Sequence, residues 1–578
     1  MVLLRLFLFG ISTIGFFELI RRVCRDKVNI YFLPSLTIAI QVTFLFVAGL
    51  LNLLPEMTFG LYLIGLAEVI HTIYIYIYIY KKKDFSFIKT YLNIGYVVLI
   101  IILLILAMYL KGKVFSQYDN FSHWAIVVRR MLEVNRYPNF EDTLITFQEY
   151  PLGSATYIYF FAKLIITSES VQMLAQSYML VAAILPLFSF AKKNQVAATI
   201  TIVSFVNYVL LYNIRITDLL VDTLLPLVGI CGLLFTYLHC KTDARVPFYF
   251  SAFYMVQLVQ IKNSGIFFAA FIAILLLVSA WKKKEYLHGI ISVTLPFISL
   301  ILWQKHCKYV YLSAATSTHA MTVENYRSVF GNKTQEDIMQ ICSSLFKFVV
   351  SYKEVWITVG IGALVGVLIL LTQKSLKTFF KVAIFSFSLY VVYQLGMLAM
   401  YLFSMPENEA THLAAIERYT KTVLIAILYL NMVPTVKLIS EIAEKKLMTV
   451  IVTAGTFASF FVGMYISTGS IEAVVQAEID VSERNWIGEA CTKFGVPKYN
   501  SYCILIPSND FGYTYYLGKY VFQSNDVTAP IIQSEDALNK IHSKYIFIYD
   551  KDNEIINGWI EANYPDQLGN EVIIQAIE

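Results

Sequence analysis

Long apolar runs, closed at short intervals by clusters of Lys and Arg, set the pattern of most of this chain. A bilayer core about 30 Å thick takes about 20 apolar residues of helix. Windows of that kind fall near 2–20, 31–54, 58–80, 91–110, 171–191, 196–213, 220–239, 246–261, 265–281, 287–304, 353–372, 378–402, 420–439 and 447–466. They predict about fourteen transmembrane helices. A further apolar stretch, 153–167, is short for a span. Residues 73–80 alternate Ile and Tyr strictly. Alternation signals a strand in water, but a lone strand in lipid would leave its backbone polar groups unpaired. The run is therefore read as the end of a helix, with its tyrosines in the interface belt.

The basic residues carry the orientation. Arg21, Arg22, Arg25 and Lys27 follow the first span, and Lys81, Lys82, Lys83 and Lys89 follow the third. Lys192 and Lys193, then Lys241 and Arg245, Lys282–Lys284, Lys374, Lys377 and Lys381, and Lys445 and Lys446 continue the series. These clusters fall at every second junction if 153–167 does not cross. The positive-inside rule then puts them in the cytoplasm. It places the N-terminus, the loops 111–150, 305–350 and 403–419, and everything after 466 outside. Residues 153–167 are expected to form a re-entrant or surface-lying helix, the alternative being a plain span with a weaker charge bias.

The last 112 residues read differently. Tyr502-Cys503-Ile504-Leu505-Ile506 and Tyr545-Ile546-Phe547-Ile548-Tyr549 have the look of short buried strands, with helices at 513–522 and 535–543 between them. Residues 467–578 hold 7 Lys/Arg against 16 Asp/Glu, whereas the rest of the chain holds 38 against 24. A basic apolar body and an acidic α/β tail are two physical objects. Three parts are expected: N-terminal transmembrane helices at 1–90, a membrane body at 91–466 with an outer loop at 111–152, and an extracytoplasmic α/β domain at 467–578.

Composition excludes several function classes. Of the 578 residues, 58% are apolar and only 15% charged, with a mean hydropathy of +0.63. A soluble enzyme of this size could not cover itself with so little polar surface. The Lys and Arg lie beside apolar spans, so they argue for membrane orientation and not for nucleic acid. No Gly-rich loop follows a strand, so no nucleotide cofactor is indicated. Seven Cys show no CxxC pair. Cys491 and Cys503 either bridge or remain free thiols.

The loop after the fourth span carries the most chemistry. It reads Gln117-Tyr118-Asp119-Asn120-Phe121-Ser122-His123-Trp124, and runs on through Arg129, Arg130 and Met131. Phe121, Trp124, Val128 and Met131 fall at helical spacing opposite the two arginines, the pattern of an amphipathic helix lying on a membrane. Asp119 precedes it at the mouth of a span, where a carboxylate can take a proton from a hydroxyl. It is equally a good residue for capping that helix. Tyr150-Pro151-Leu152-Gly153 forms a turn further on.

A multi-spanning body, an early outer loop with Asp just past a span, a surface helix and a Tyr-Pro-x-Gly turn resemble the GT-C superfamily of membrane glycosyltransferases, in particular a bacterial branch with a Tyr-Asp-Asn-Phe-Ser-His-Trp run. The resemblance covers 91–466 as architecture. It implies a polytopic all-α fold and a sugar donor carried on a polyprenyl phosphate or diphosphate. It also implies that Asp119 is the catalytic carboxylate. Many members pair that Asp with a second acidic residue. Here Asn120 follows, which leaves the use of a divalent cation open. His123, one helical turn on, would orient Asp119 or touch the donor phosphate; the plain alternative is a solvated histidine.

Other polar residues interrupt the predicted spans. Arg215, Asp218 and Asp222 sit at the start of 220–239. Four residues apart, Asp218 and Asp222 would share a helix face and hold an ion or the acceptor, or pair with Arg215. Lys262, in Gln260-Ile261-Lys262-Asn263-Ser264-Gly265, breaks two apolar runs at the outer face, where topology needs no positive charge. It suits a lipid-linked phosphate, the alternative being a snorkelling side chain. Arg418 starts the span at 420 and would face the same phosphate, or pair with Glu417 or Glu409. The loop 305–350 holds His306, His319, Glu324 and Arg327, with no assigned roles. Asn332-Lys333-Thr334 fits a glycosylation sequon that carries little information at three residues.

These features give one expectation. The chain would be an inverting glycosyltransferase of cell-surface glycan synthesis, moving a sugar from a polyprenyl-phosphate carrier to the hydroxyl of a glycan or lipid-linked acceptor outside the cytoplasm. The rivals are a transporter or flippase of lipid-linked glycans, which would also use charges at membrane depth, and a polysaccharide polymerase.

Overall fold

The computed structural model describes residues 1–79, 89–212, 216–241, 245–310, 323–373, 377–441, 481–532, 534–550 and 552–575, with a few isolated positions between 450 and 465. They fall into two compact units. One comprises Met1–Gly112, Asn135–Tyr137 and Glu149–Ala477, the other Lys113–Val134, Pro138–Gln148 and Glu478–Glu578.

The first unit is helical. Among the described residues, nine helices are long and apolar enough to cross a membrane: Val2–Val23, Ile30–Leu50, Leu54–Tyr78, Glu169–Phe190, Gly265–Lys283, Tyr286–Val310, Gln335–Val367, Phe379–Phe403 and Ile416–Glu441. Shorter apolar helices span Ile94–Leu110, Gln195–Leu210, Leu224–His239 and Val246–Ile261. The alternating Ile-Tyr run continues its helix as a π-helical turn over Ile75–Ile79, as a chain that must satisfy its own backbone in lipid would. The expected span at 447–466 lies largely outside the described residues.

Burial sorts these helices into centre and rim. Glu169–Phe190 and Ile416–Glu441 are mostly enclosed, whereas few residues of Leu54–Tyr78 and Tyr286–Val310 are buried. The exposed side chains on Ile94–Leu110 include Ile100, Ile101, Leu104, Ile105 and Met108. In water such a stripe would be an aggregation hazard; against lipid it is solvated. Gly153–Leu164 has 12 residues, about 18 Å of helix, well short of the bilayer core. All its residues from Gly153 to Ala162 are buried. It is therefore enclosed by neighbouring helices and does not lie on a surface, which removes one of the two forms expected for this stretch.

The second unit is α/β. Strands β1 (Tyr502–Leu505), β2 (Val527–Thr528), β3 (Tyr545–Ile548) and β4 (Val572–Ile574) form one sheet in the order β2-β1-β3-β4. β1 runs parallel to both β2 and β3, with Leu505 opposite Ile548, and β4 is antiparallel to β3. One face packs Cys503, Leu505, Ile546, Ile548 and Ile573 against Ile556, Trp559 and Ile560 of the helix Glu554–Asn563. The helices Tyr513–Phe522 and Ser482–Phe494 complete the unit, together with residues 113–134 of the early loop.

Candidate functional site

The helix preceded by Asp222 begins later than hydropathy suggests. Its first residue is Leu224, and residues 216–223 are not helical, yet all eight are buried. Non-helical backbone among apolar helices persists only where protein satisfies it. Here Gln176 donates through Nε2 to the Leu220 carbonyl at 2.8 Å, and Thr422 through Oγ1 to that of Asp222 at 3.1 Å. Asp218 and Asp222 consequently do not share a helix face, contrary to the spacing argument. Asp218 instead lines a cavity of about 10 Å³ with Gln176, Thr223 and apolar neighbours, about the room one water needs. Its expected partner Arg215 lies outside the described residues.

Asp222, Lys262 and Arg418 do come together. Lys262 Nζ lies 3.0 Å from Asp222 Oδ1, and Arg418 Nε lies 3.5 Å from Oδ2. Both cations also stand over the ring of Tyr419, at 4.8 Å for Lys262 and 5.5 Å for Arg418, close enough for a cation–π attraction. The three charged groups come from three parts of the chain: the irregular stretch before Leu224–His239, the break after Val246–Ile261, and the first turn of Ile416–Glu441. The Asp222 side chain is 4% exposed, that of Lys262 16% and that of Arg418 28%. The carboxylate is thus buried beneath two cations that remain reachable.

Local packing explains why Lys262 stands where it does. The helix Val246–Ile261 ends with Lys262 in extended backbone, and the next helix starts at Gly265, whose N–H donates to the Lys262 carbonyl. A Cβ on Gly265 would lie 2.0 Å from the Leu258 carbonyl oxygen, so only glycine allows this tight reversal. The Tyr-Pro-x-Gly turn packs on the same end. A Cβ on Gly153 would sit 2.7 Å from the Gln260 carbonyl oxygen, and Tyr150 is near enough to Lys262 to interact electrostatically.

Compared with models of known protein families, with curated proteins and with solved structures, the chain matches none. Chemistry alone then speaks for the cluster. A guanidinium fork beside an ammonium suits a group with several anionic oxygens. The buried carboxylate pairs with both cations. Among the described residues, no group of three or more His, Cys, Asp or Glu has the arrangement of a metal site.

Asp119 and His123 belong to the second unit. The chain there makes a π-helical turn, Asn120–Trp124, and continues as the helix Ala125–Val134. Asp119 occupies the N-cap position but its side chain makes no capping hydrogen bond, so capping does not account for it. The apolar stripe expected to face lipid is covered by protein: Phe121, Trp124, Val128 and Met131 are buried, and Phe121 meets the rings of Tyr513 and Tyr520. An amphipathic pattern reports that a face is covered, not by what. His123 is buried beside the rings of Trp124 and Phe147, not solvated.

The tail holds the Asp119 segment at several successive residues. Arg484 Nη1 donates to the Phe115 carbonyl at 2.5 Å, and Tyr513 Oη to that of Ser116 at 3.0 Å. Tyr118 packs edge-on against Tyr516 with ring centroids 5.1 Å apart. Burial, the neighbouring Tyr516 and the negative charges of Asp119 and Asp510 push the Tyr118 phenol up to about 12. It is therefore a proton donor at neutral pH. Gln117 Oε1 accepts from the Asp119 N–H at 2.9 Å.

Cys491 and Cys503 are free thiols. In the outer-loop region Thr334, the last residue of the sequon, caps the helix Gln335–Ser351 in a box with Asp337. His306 stacks on Trp303, and His319 lies outside the described residues. The sequence reading missed Tyr150, Tyr419 and Thr422 beside the cation cluster, and Gln176 as support for the non-helical stretch that carries Asp222. Gln176 and Thr422 carried a usable signal, since each is a polar residue inside an apolar window.

Proposed function

We propose that the chain is an integral-membrane glycosyltransferase that takes a sugar from a polyprenyl-phosphate carrier. The observation that supports this reading is the meeting of Lys262 and Arg418 over a buried Asp222, which we read as a seat for a phosphate group. Lys262 and Arg418 hold the carrier phosphate. An acceptor hydroxyl oxygen attacks the anomeric carbon opposite the phosphate. The bond from that carbon to the phosphate oxygen breaks, the electron pair leaves with the phosphate, and the acceptor proton passes to Asp119. Attack from the opposite side inverts the anomeric carbon. The chain would cross the bilayer about fourteen times, with the acidic tail outside the cytoplasm. His123, four residues after Asp119 and buried beside Trp124 and Phe147, is assigned to orienting it. Asp218, which lines the small cavity with Gln176 and Thr223, is given no part in this scheme, and a divalent cation is not required by it.

The test uses the full chain in lipid discs. Undecaprenyl phosphate serves as the probe for the anion seat, its binding read by native mass spectrometry. Lys262→Gln and Arg418→Gln are each expected to lose most of that binding. Asp119→Asn is expected to keep it and to lose sugar transfer from radiolabelled polyprenyl-phosphate sugars to membrane glycan. Undiminished binding in both cation variants removes the seat, and full transfer in Asp119→Asn removes the base.

A further inference from the structure

We propose that the carboxyl-terminal rim of the small sheet, at the seam between β1 and β3, is a carbohydrate-binding crevice that holds the acceptor; the word acceptor rests on the glycosyltransferase reading, the crevice does not. The topology gives the first argument. From β1 the chain passes through the helix Tyr513–Phe522 to β2 on one side, and then crosses to β3 on the other side of β1. The order reverses there. In open parallel sheets, ligands bind outside the carboxyl ends of the strands at such a reversal, because the two outgoing loops diverge and leave a cleft. β1 and β3 are in register to Leu505 and Ile548, so the loops that begin at Ile506 and Tyr549 start side by side.

The side chains on these loops give the second. Phe511 is 86% exposed and Tyr549 45%, large rings that a soluble face would ordinarily cover. Tyr549 is braced edge-on by Trp486 at 5.1 Å, leaving part of its ring open. Exposed ring faces carry partial negative charge and attract the C–H faces of sugar rings. Asn509, Asp510, Asp550 and Asp552 stand on the same two loops. Asp510 accepts from the N–H groups of Gly512 at 2.9 Å and Thr514 at 2.7 Å. Two of its four lone-pair directions remain for hydroxyl donors. Three carboxylates against one cation, Lys551, on the two loops disfavour a phosphate or an acidic polymer and favour a neutral polyol.

The position of the rim links it to the chemistry. The charges of Asp510 and Asp119 both reach the phenol of Tyr118, and Tyr513, which follows the β1 loop, bonds to Ser116. A sugar on the rim therefore lies at the same end of this unit as Asp119. That relation would let one unit present both the acceptor hydroxyl and the carboxylate that takes its proton.

The experiment reads binding and needs no turnover. The full chain in lipid discs, free of sugar-based detergent, is titrated with chitotetraose, cellotetraose, maltotetraose and mannotetraose, and binding is followed by saturation-transfer NMR on the sugar protons. At least one of the four is expected to bind. Phe511→Ala and Tyr549→Ala, both exposed and so neutral to folding, are each expected to weaken it about tenfold. No binding by any of the four, or binding indifferent to both substitutions, overturns the crevice. A fluorophore on Phe511→Cys that is quenched by spin-labelled lipid also overturns it, by placing the ring in the bilayer. Asp119→Asn should bind the sugar as the parent does. Sugar binding combined with full transfer in that variant would sink the catalytic reading and leave the crevice standing.

Discussion

Lys262 and Asp222, forty residues apart in the chain, meet at 3.0 Å with the carboxylate almost wholly buried. Arg418 reaches the other oxygen of the same carboxylate. Asp222→Asn would leave two cations facing a neutral amide inside the helical unit. Breaking a buried pair from one side costs about 3–5 kcal/mol. Adding Lys262→Met removes one of the stranded charges, so the double variant should recover part of the loss, with a coupling of about 0.5–3 kcal/mol. Thermal unfolding of the four proteins in one lipid environment reads this cycle. Additive losses would mean the pair contributes nothing as a pair.

Gly265 makes the break that presents Lys262. Gly265→Ala sets a Cβ against backbone at 2.0 Å, an overlap that must shift one helix end and is expected to cost about 1–3 kcal/mol. Gly60, inside the helix Leu54–Tyr74, has nothing within 4 Å of the same atom. Gly60→Ala should be neutral or stabilising by up to about 1 kcal/mol, since alanine is the better helix former. Melting temperatures that fall equally in the two variants would show that close approach at Gly265 is not what matters.

Lys262 and Arg418 were legible in the sequence because each interrupts an apolar run on the side that the Lys/Arg pattern predicts to be outer. Asp222 was legible as a charge at depth, but its partnership was not. Hydropathy sees Ile-Thr-Asp-Leu-Leu-Val-Asp-Thr as the entry of a span and cannot see that the backbone there is unwound. Pro226, in the first turn of the helix that begins at Leu224, was the local sign of the true start. The tail's grip on Phe115, Ser116, Tyr118 and Phe121 was not legible at all. It pairs residues some 370 to 400 positions apart, and nothing in the local pattern of either segment records the other. The amphipathic helix shows the same limit, since an apolar stripe asks for cover and is indifferent to its source.

Tyr118 and Tyr502 give a pH signature of the second unit. Burial, as the leading cause, pushes both phenols up to about 12, against about 10 in an unfolded chain. Between those values the unfolded state holds fewer protons, so the stability these two phenols contribute is intact below pH about 10 and is lost as pH rises through about 12. Cys491 and Cys503, pushed up to about 11 by burial, act with the same sign from their ordinary value of 9.0. Absorbance of the phenolate near neutral and alkaline pH, compared between the parent and Tyr118→Phe, should reveal one group titrating near 12. A difference curve centred at the unfolded value would show Tyr118 to be open to water.

Orientation is the expectation with the largest consequence, because nucleotide sugars serve the cytoplasm and lipid carriers the other side. Ser508 lies exposed on the loop after β1, so a thiol there reports the compartment of the whole second unit. In intact cells, Ser508→Cys should react with a membrane-impermeant maleimide. The parent thiols of that unit, Cys491 half-buried and Cys503 buried, supply the low background. The Lys282–Lys284 cluster marks the other side, and Lys283→Cys should label only after the membrane is opened. The positive-inside rule makes both outcomes follow from one charge pattern, so they stand together. Labelling of Ser508→Cys only after permeabilisation would put the tail in the cytosol. The rim and Asp119 would then face nucleotide-linked substrates, and a polyprenyl-phosphate donor would lose its physical reason.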